Sequence, residues 1–468
     1  MVLQRDRPIH IWGWSDPGET VTVSLNGATG TDTGDKYGRW SVYLPPLPAG
    51  GPYEVKVSGS SAITLEDVLV GDVWFASGQS NMEMPLKGFT GSAAINNSEA
   101  EIRSATNPNI RLLLIPKKVS NYPLVDAPAS WTVCTPETAG EFSAAAYFFG
   151  RDVQSHEKVP IGLIDSTWGG TPVEAWMSMD GISRDASLMP IFAAWARMTE
   201  QQTESALLIA AEKREDEAAK KAGKPAPHHD WHPDPASWAP AALYNGMIAP
   251  FVEFPIKGAI WYQGESNASP ERAGLYEKAF SGMIADWRTH WHVGDFPFLF
   301  VQIANFGTNA SENWSVVRDA QRRTLAVANT AMAVTIDIGD ANNVHPADKQ
   351  DVGARLALGA RAIAYGEKVE YAGPLFRQAT VEGEGMRVWF DHADGLQARG
   401  GELIGFEIAG ADKKFVGAVG RIEGRSVFVS NHDVPRPMYV RYGWRNTTTV
   451  INLYNEAGLP ASPFTSGE

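Results

Sequence analysis

Val68-Leu-Val-Gly-Asp-Val-Trp-Phe-Ala-Ser-Gly-Gln-Ser-Asn-Met-Glu-Met-Pro85 is the stretch on which the reading of the fold turns. Val68 to Ala76 is a short apolar run set among glycines, which predicts a buried strand rather than a helix. It ends in Ser77-Gly-Gln-Ser-Asn-Met82, a tight polar turn. A serine on a turn at the carboxyl end of a central strand lies where an α/β sheet exposes reactive groups. The Gly-x-Ser-x-Gly elbow of one known α/β fold obeys the same logic, but its second glycine is absent here, so that fold is not indicated. A serine after a strand is usually only a turn residue or a helix cap. Ser80 therefore depends on partners elsewhere in the chain.

Around this stretch, residues 67–365 alternate strands with helices. Further strands are predicted at Ile110–Ile115, Pro160–Asp165, Ile256–Tyr262, Phe298–Ile303 and Ala331–Ile336, with helices at Phe142–Val153, Gly274–Trp291, Trp314–Ala328 and Lys349–Ala364. Six short apolar strands separated by helices predict an α/β domain with an open, mostly parallel sheet covered on both faces. Residues 1–66 read as an N-terminal β domain. Ile9 and Ile11, Val21 to Leu25, Trp40 to Leu44 and Tyr53 to Val57 alternate at period two between Gly-, Pro- and Asn-rich turns, the pattern of a small β-sandwich. Residues 366–468 return to that rhythm and end in an Asn-, Pro- and Gly-rich tail expected to pack back as an ordered loop.

Ala186 to Lys221 predicts one long helical segment, densely charged in its second half and so solvated. A proline-rich connector follows. Its His228, His229 and His232 are of a metal-binding type, but a proline-broken loop without a carboxylate scaffold is a poor metal cradle, and no metal is expected.

The totals exclude several classes of partner. A net charge of −14 repels nucleic acid phosphates. No run approaches the ~18 apolar residues of a membrane span. The single cysteine, Cys134, rules out an internal disulfide and any multi-cysteine metal site. Sixteen tryptophans suit either a sugar-binding surface or a large β-rich core.

Four predicted strand ends carry groups of a hydrolytic kind. Beside Gly78-Gln-Ser80 there are Ser166-Thr-Trp-Gly-Gly-Thr-Pro-Val-Glu-Ala-Trp176, Tyr262-Gln-Gly-Glu-Ser-Asn267 and Asp337-Ile-Gly-Asp-Ala-Asn-Asn-Val-His-Pro346. Strand ends of one parallel sheet point the same way, so these turns can converge on one crevice. A serine esterase needs a nucleophile, a base, a carboxylate to hold the base, and donors for the oxyanion. Ser80 supplies the first and His345 the second. The Ser80 amide and Gly169-Gly170 offer main-chain N–H groups for the oxyanion, and Gln263 or Asn267 a side-chain amide. Singly, each has a bland reading as a turn or buried polar residue; four together make coincidence a poor explanation.

Gly78-Gln-Ser-Asn-Met82, Trp168-Gly-Gly-Thr-Pro-Val-Glu-Ala-Trp176, Trp261-Tyr-Gln-Gly-Glu-Ser-Asn-Ala268 and Val344-His-Pro-Ala-Asp-Lys349 resemble the sialate O-acetylesterase family, a branch of the SGNH serine hydrolases related to carbohydrate acetylesterases. The resemblance extends over nearly the whole chain. It implies a flavodoxin-like catalytic domain flanked by β domains, no cofactor, and removal of acetyl groups from sugar hydroxyls, with Ser80 as nucleophile and His345 as base. It also implies export, so the expected chain is secreted or periplasmic and has lost its leader, with a cytoplasmic chain the alternative. The usual SGNH acid stands three residues before the histidine, but that position is Asn342. A neutral amide orients an imidazole without stabilising its charged form. Glu265, Asp340 and Asp337 stay open as the acid. The resemblance favours Glu265, with Asp340 next.

Two other functions stay open. An acetylxylan or other hemicellulose acetylesterase differs in substrate: sialate carries a carboxylate and calls for a cation, for which Arg318, Arg322 and Arg323 are candidates. A non-catalytic carbohydrate-binding protein would suit the β domains and tryptophans but not four catalytic-type turns. Neither the oligomeric state nor the acetyl position is legible.

Overall fold

The computed structural model describes residues 1–90, 94–227, 229, 232–307, 311–447 and 451–467. Its centre is a strand longer than the predicted one, Ala62–Gly78, exposed up to Asp67 and buried at every residue from Val68 onward. Burial on both faces is why the sequence shows an unbroken apolar run rather than an alternation. The strand order is Thr330–Val334, Phe298–Gln302, Gly258–Tyr262, Ala62–Gly78, Ile161–Thr167, Asn107–Leu114 and Thr132–Cys134. All neighbours pair in parallel except the last two. The chain leaves Ala62–Gly78 toward one side, returns, and continues on the other. The carboxyl end of this strand is therefore a crevice.

Successive side chains of the central strand reach opposite helical layers. Trp74 packs edge-on against Phe149 of helix Ala144–Glu157, with ring centroids 4.9 Å apart. Phe75 instead meets Trp287 and Trp291 of helix Tyr276–Trp291, at 5.8 and 5.2 Å. Helix Lys349–Ile363 lies against Ala144–Glu157 so closely that a Cβ on Gly353 would stand 2.5 Å from Phe148 Cβ. The mostly parallel sheet is thus covered on both faces.

Sheet domains flank this unit. Gly50–Ser58, antiparallel, and Val2–Gln4, parallel, pair with the first half of the Ala62–Gly78 strand, which runs without a break through position 66. Ile9–Trp14 and Arg39–Leu44 form a separate antiparallel ribbon. Val68 and Val70 belong to the N-terminal core, whereas Leu69 and Val73 belong to the central one. At the other end two four-stranded sheets enclose a third core around Val388, Phe406, Ile408, Val427 and Phe464.

The long helical segment is two helices, Pro190–Glu200 and Gln202–Lys221, preceded by a one-turn element at Ala186–Leu188. Gln202–Lys221 buries none of its residues, as its charge density predicts. His229 and His232 pair with Asp216 and Glu212 at 3.0 and 2.9 Å, which pins the connector to that helix. His228 lies outside the described residues. Among those described, no cluster of three or more His, Cys, Asp or Glu is placed to hold a metal, and no helix is long and apolar enough to cross a membrane.

The tail docks onto the central domain through Arg318, which is fully buried. Its guanidinium donates to Ile303 O (3.0 Å), Ala304 O (2.7 Å), Arg445 O (2.8 Å) and Asn446 O (3.0 Å). Replacing it in Arg318→Met strands four carbonyls, each worth about 1–3 kcal/mol when left unsatisfied. Partial hydration of the loosened tail offsets some of that. Urea unfolding of the variant is expected to show a loss of about 3 kcal/mol or more through a lower midpoint.

Candidate active site

Ser80 is held by the ends of both neighbouring strands. Gly78, at φ 138°, has no room for a side chain: a Cβ would sit 2.2 Å from Tyr262 O. Gln79 N–H donates to Tyr262 O at 3.0 Å, and Trp168 N–H to Gly78 O at 3.1 Å. Gln79 is buried, and its Oε1 accepts from Gly264 N–H (3.3 Å) and Ser266 N–H (3.2 Å). Ser80 then opens the one-turn helix Ser80–Glu83 and stays partly exposed. A Cβ on Gly169 would lie 3.1 Å from Ser80 Cβ, so the Gly-Gly turn packs directly on the serine.

His345 stands in the loop after Thr330–Val334, just before helix Lys349–Ile363. Asp340 and Asn343 pair across a tight turn. Asn343 Oδ1 then accepts the His345 N–H at 2.9 Å, and Phe89 meets the imidazole edge-on at 5.3 Å. Burial first, and then the charge of Lys349, lowers its pKa to about 4. The ring is a neutral imidazole at ordinary pH. Among the described residues no group is hydrogen-bonded to its nitrogens.

Asn81 joins these two segments. Its Nδ2 donates to Val344 O at 2.9 Å and to Glu265 Oε1 at 2.7 Å, while its Oδ1 accepts from Lys349 Nζ at 2.5 Å. The residue after Ser80 is thus bonded to the residue before His345. Lys349 and Glu265 are both withdrawn from water. Burial pushes the Lys349 ammonium down to about 7 and the Glu265 carboxyl up from its usual range; each charge opposes the other's shift.

The three candidate acids have different surroundings. Asp337 is clamped by Arg355, at 2.6 and 2.9 Å. Asp340 is exposed and spends Oδ1 on the Asn342 N–H at 2.8 Å. Glu265 keeps a buried Oε2 with no hydrogen-bond partner among the described residues.

Three of the oxyanion donors read from the sequence are engaged by other groups of the protein. Gln263 is fully buried and donates to Thr171 O (3.1 Å) and Asn267 Oδ1 (2.7 Å), so its amide has nothing left to offer an oxyanion. Asn267 is buried in the same network. Its Oδ1 also accepts Val173 N–H at 3.0 Å, and its Nδ2 donates to Glu174 Oε2 at 2.9 Å. The Gly169 N–H is taken by the Glu83 carboxylate. The Gly170 N–H has no partner among the described residues, and the Ser80 N–H heads its helix.

Sequence reasoning missed Glu83 and its partner Lys117, which pair at 2.6 Å, with Lys117 Nζ 5.5 Å from the centre of the Trp168 ring. The arginines named for a substrate carboxylate are also reassigned. Arg318 holds the tail, while Arg322 and Arg323 both pair with Asp319.

The profile of a family described as carbohydrate esterase, sialic acid-specific acetylesterase, matches residues 228–362. The sialate O-acetylesterase of Mus musculus is 34% identical over 422 residues, 80% of this chain and 74% of its own. That of Homo sapiens is 33% identical over 416 residues, 80% of this chain and 71% of its own. A crystal structure of a carbohydrate acetylesterase from Xanthomonas citri matches with a TM-score of 0.85 at 38% identity, covering 100% of this chain and 97% of its own. The fold and these likenesses define a carboxylic ester hydrolase of the carbohydrate-esterase class. The chain belongs to the sialate O-acetylesterase family.

The site's electrostatics can be measured directly. By NMR, the His345 ring protons are expected to titrate near pH 4, and in Lys349→Met, where the neighbouring cation is gone, at higher pH. A histidine in the unfolded chain titrates near pH 6.5. The neutral burial of His345 therefore makes a contribution to stability that is intact above about pH 6.5 and lost as pH falls toward 4.

Proposed function

We propose that the protein is a serine esterase of SGNH type that removes O-acetyl groups from a carbohydrate, with Ser80 as nucleophile and His345 as base. The observation that carries this reading is the Asn81 Nδ2–Val344 O bond, which ties the serine turn to the histidine loop at the carboxyl end of the sheet. The strand order supports the flavodoxin-like reading. Leaving aside the antiparallel edge strand Thr132–Cys134, the six parallel strands, numbered along the chain, lie in the order 2-3-1-4-5-6, doubly wound about a switch point at the first, as flavodoxin-like sheets are.

In the first step Ser80 Oγ attacks the acetyl carbonyl while a neutral His345 takes its proton. The tetrahedral oxyanion is met by the N–H groups of Ser80 and Gly170. His345 then passes the proton to the departing sugar oxygen. In the second step water, deprotonated by the same imidazole, attacks acetyl-Ser80; acetate leaves and the serine recovers its proton. We assign the supporting acid to Glu265. It alone of the three carboxylates is buried with a free oxygen, and Asn81 links it to the backbone beside His345. Lys349 counters the pull of burial toward the neutral acid.

Sialate is the substrate named for the mammalian relatives, and it supports an acetylated sialic acid here. A neutral acetylated glycan such as acetylxylan is the second reading. Charge balance favours it: Lys117 lies beside the Gly169 turn, yet Glu83 already holds it. Acetate release from O-acetyl sialic acid against acetylated xylan separates the two. Export of the protein belongs to the same proposal.

Ser80→Ala is expected to lose about four orders of magnitude or more in kcat on p-nitrophenyl acetate; a variant keeping most of its turnover would sink the assignment. Glu265→Gln is expected to lose about a hundredfold or more in kcat, and Asp340→Asn only a few-fold, since the exposed carboxylate serves its own turn. The reverse order would move the acid to Asp340.

A further inference from the structure

Strand Ile9–Trp14 turns His10, Trp12 and Trp14 to one face, and their cross-strand partners on Arg39–Leu44 are Tyr43, Ser41 and Arg39. The rings form a ladder. His10 stacks on Tyr43 at 4.2 Å and on Trp12 at 4.8 Å, and Trp12 meets Phe254 of the central domain edge-on at 6.3 Å. The ladder does not end under protein, because Trp14 is 49% exposed and Tyr43 64%. Trp14 lines a cavity of about 440 Å³ whose far wall includes Asn121, Val125, Met179 and Asp180. A second cavity, about 480 Å³, continues past Arg39 and Glu253 to Tyr43 and His10. The two make one cleft between the N-terminal β domain and the central domain, and none of the residues of the proposed catalytic machinery lines it.

We propose that this cleft binds a neutral oligosaccharide. Its dimensions are those of small-molecule sites, about 300–1,000 Å³ for each cavity. One wall offers open aromatic faces, against which the C–H face of a pyranose packs, and the other offers the Asn121 amide and the Asp180 carboxylate as partners for hydroxyls. In the Trp14 cavity the charges are compensated. Arg39 pairs with Glu253, Asp180 with Arg184, and His290 with Asp286 at 3.2 Å. An anionic or cationic ligand would have to break one of these pairs, whereas a neutral one need not. An acyl chain fits poorly, because the Arg39–Glu253 ion pair lines both cavities. A protein partner requires a broad face of about 800 Å² rather than a narrow cleft. The site is separate from Ser80, so the inference stands or falls independently of the esterase assignment.

Isothermal titration calorimetry of Ser80→Ala protein with cellohexaose, xylohexaose and sialyllactose tests it. Saturable binding of at least one neutral hexasaccharide, little changed by salt, is expected. Trp14→Ala should weaken it by about tenfold or more and Asn121→Ala should weaken it less, with p-nitrophenyl acetate turnover of both unchanged in the Ser80 background. If Trp14→Ala loses that turnover through damage to the fold, Asn121→Ala decides. No binding of either neutral sugar, undiminished binding in the variants, or tighter binding of sialyllactose than of the neutral sugars overturns the proposal.

Discussion

The arrangement at the crevice depends on one buried amide. Asn81 donates twice and accepts once, and each bond reaches a different segment: the loop before the histidine, the turn carrying Glu265, and the first residue of helix Lys349–Ile363. A neutral side chain suits this position because the groups around it do not. Lys349 and Glu265 would each pay heavily for burial alone, and Asn81 spans them with a donor for the carboxylate and an acceptor for the ammonium. Removing either charge would strand the other. The pair also explains the state of His345, whose protonation is opposed by its own burial and by the lysine. Burial contributes most to keeping the base unprotonated, and the charge of Lys349, held by Asn81, adds to it.

A second polar layer backs the Gly-Gly turn. Gln263, Asn267, Glu174, Arg272 and Tyr276 form a closed network that ties the strand end at Tyr262 to residues 171–174. Its members are spent on one another, so it acts as a mount rather than as a contact surface. Such a mount fixes the amides of the turn before any substrate arrives, the condition under which oxyanion donors are most effective.

Much of this was legible in the sequence. Burial of the central strand on both faces, the helical period of Tyr276 to Trp291 and the polar turns at four strand ends leave local signatures, and the elements appear within a few residues of their predicted limits. Partnership between distant side chains leaves none. Gln263 and Asn267 looked like anion donors because an amide at a strand end shows its chemistry but not which way it points. Asn81 and Lys349 stood inside recognisable motifs, yet their roles are set by contacts far along the chain. Glu83 drew no reading from the sequence, because only the fold brings the Gly169 amide and Lys117 onto its carboxylate. The two helices in place of one long segment had no breaker between them to announce the division at Gln201.

The strand Ala62–Gly78 serves two masters. Its first half completes the N-terminal sheet, and its second half is the axis of the central one, with neighbouring residues turned toward different cores. The N-terminal unit therefore cannot be exchanged by recombination as a free cassette. Any graft made at the apparent border would sever a ladder and shift the inward-facing set of side chains. Over evolutionary time the two units are bound to be inherited, lost and redesigned as one piece.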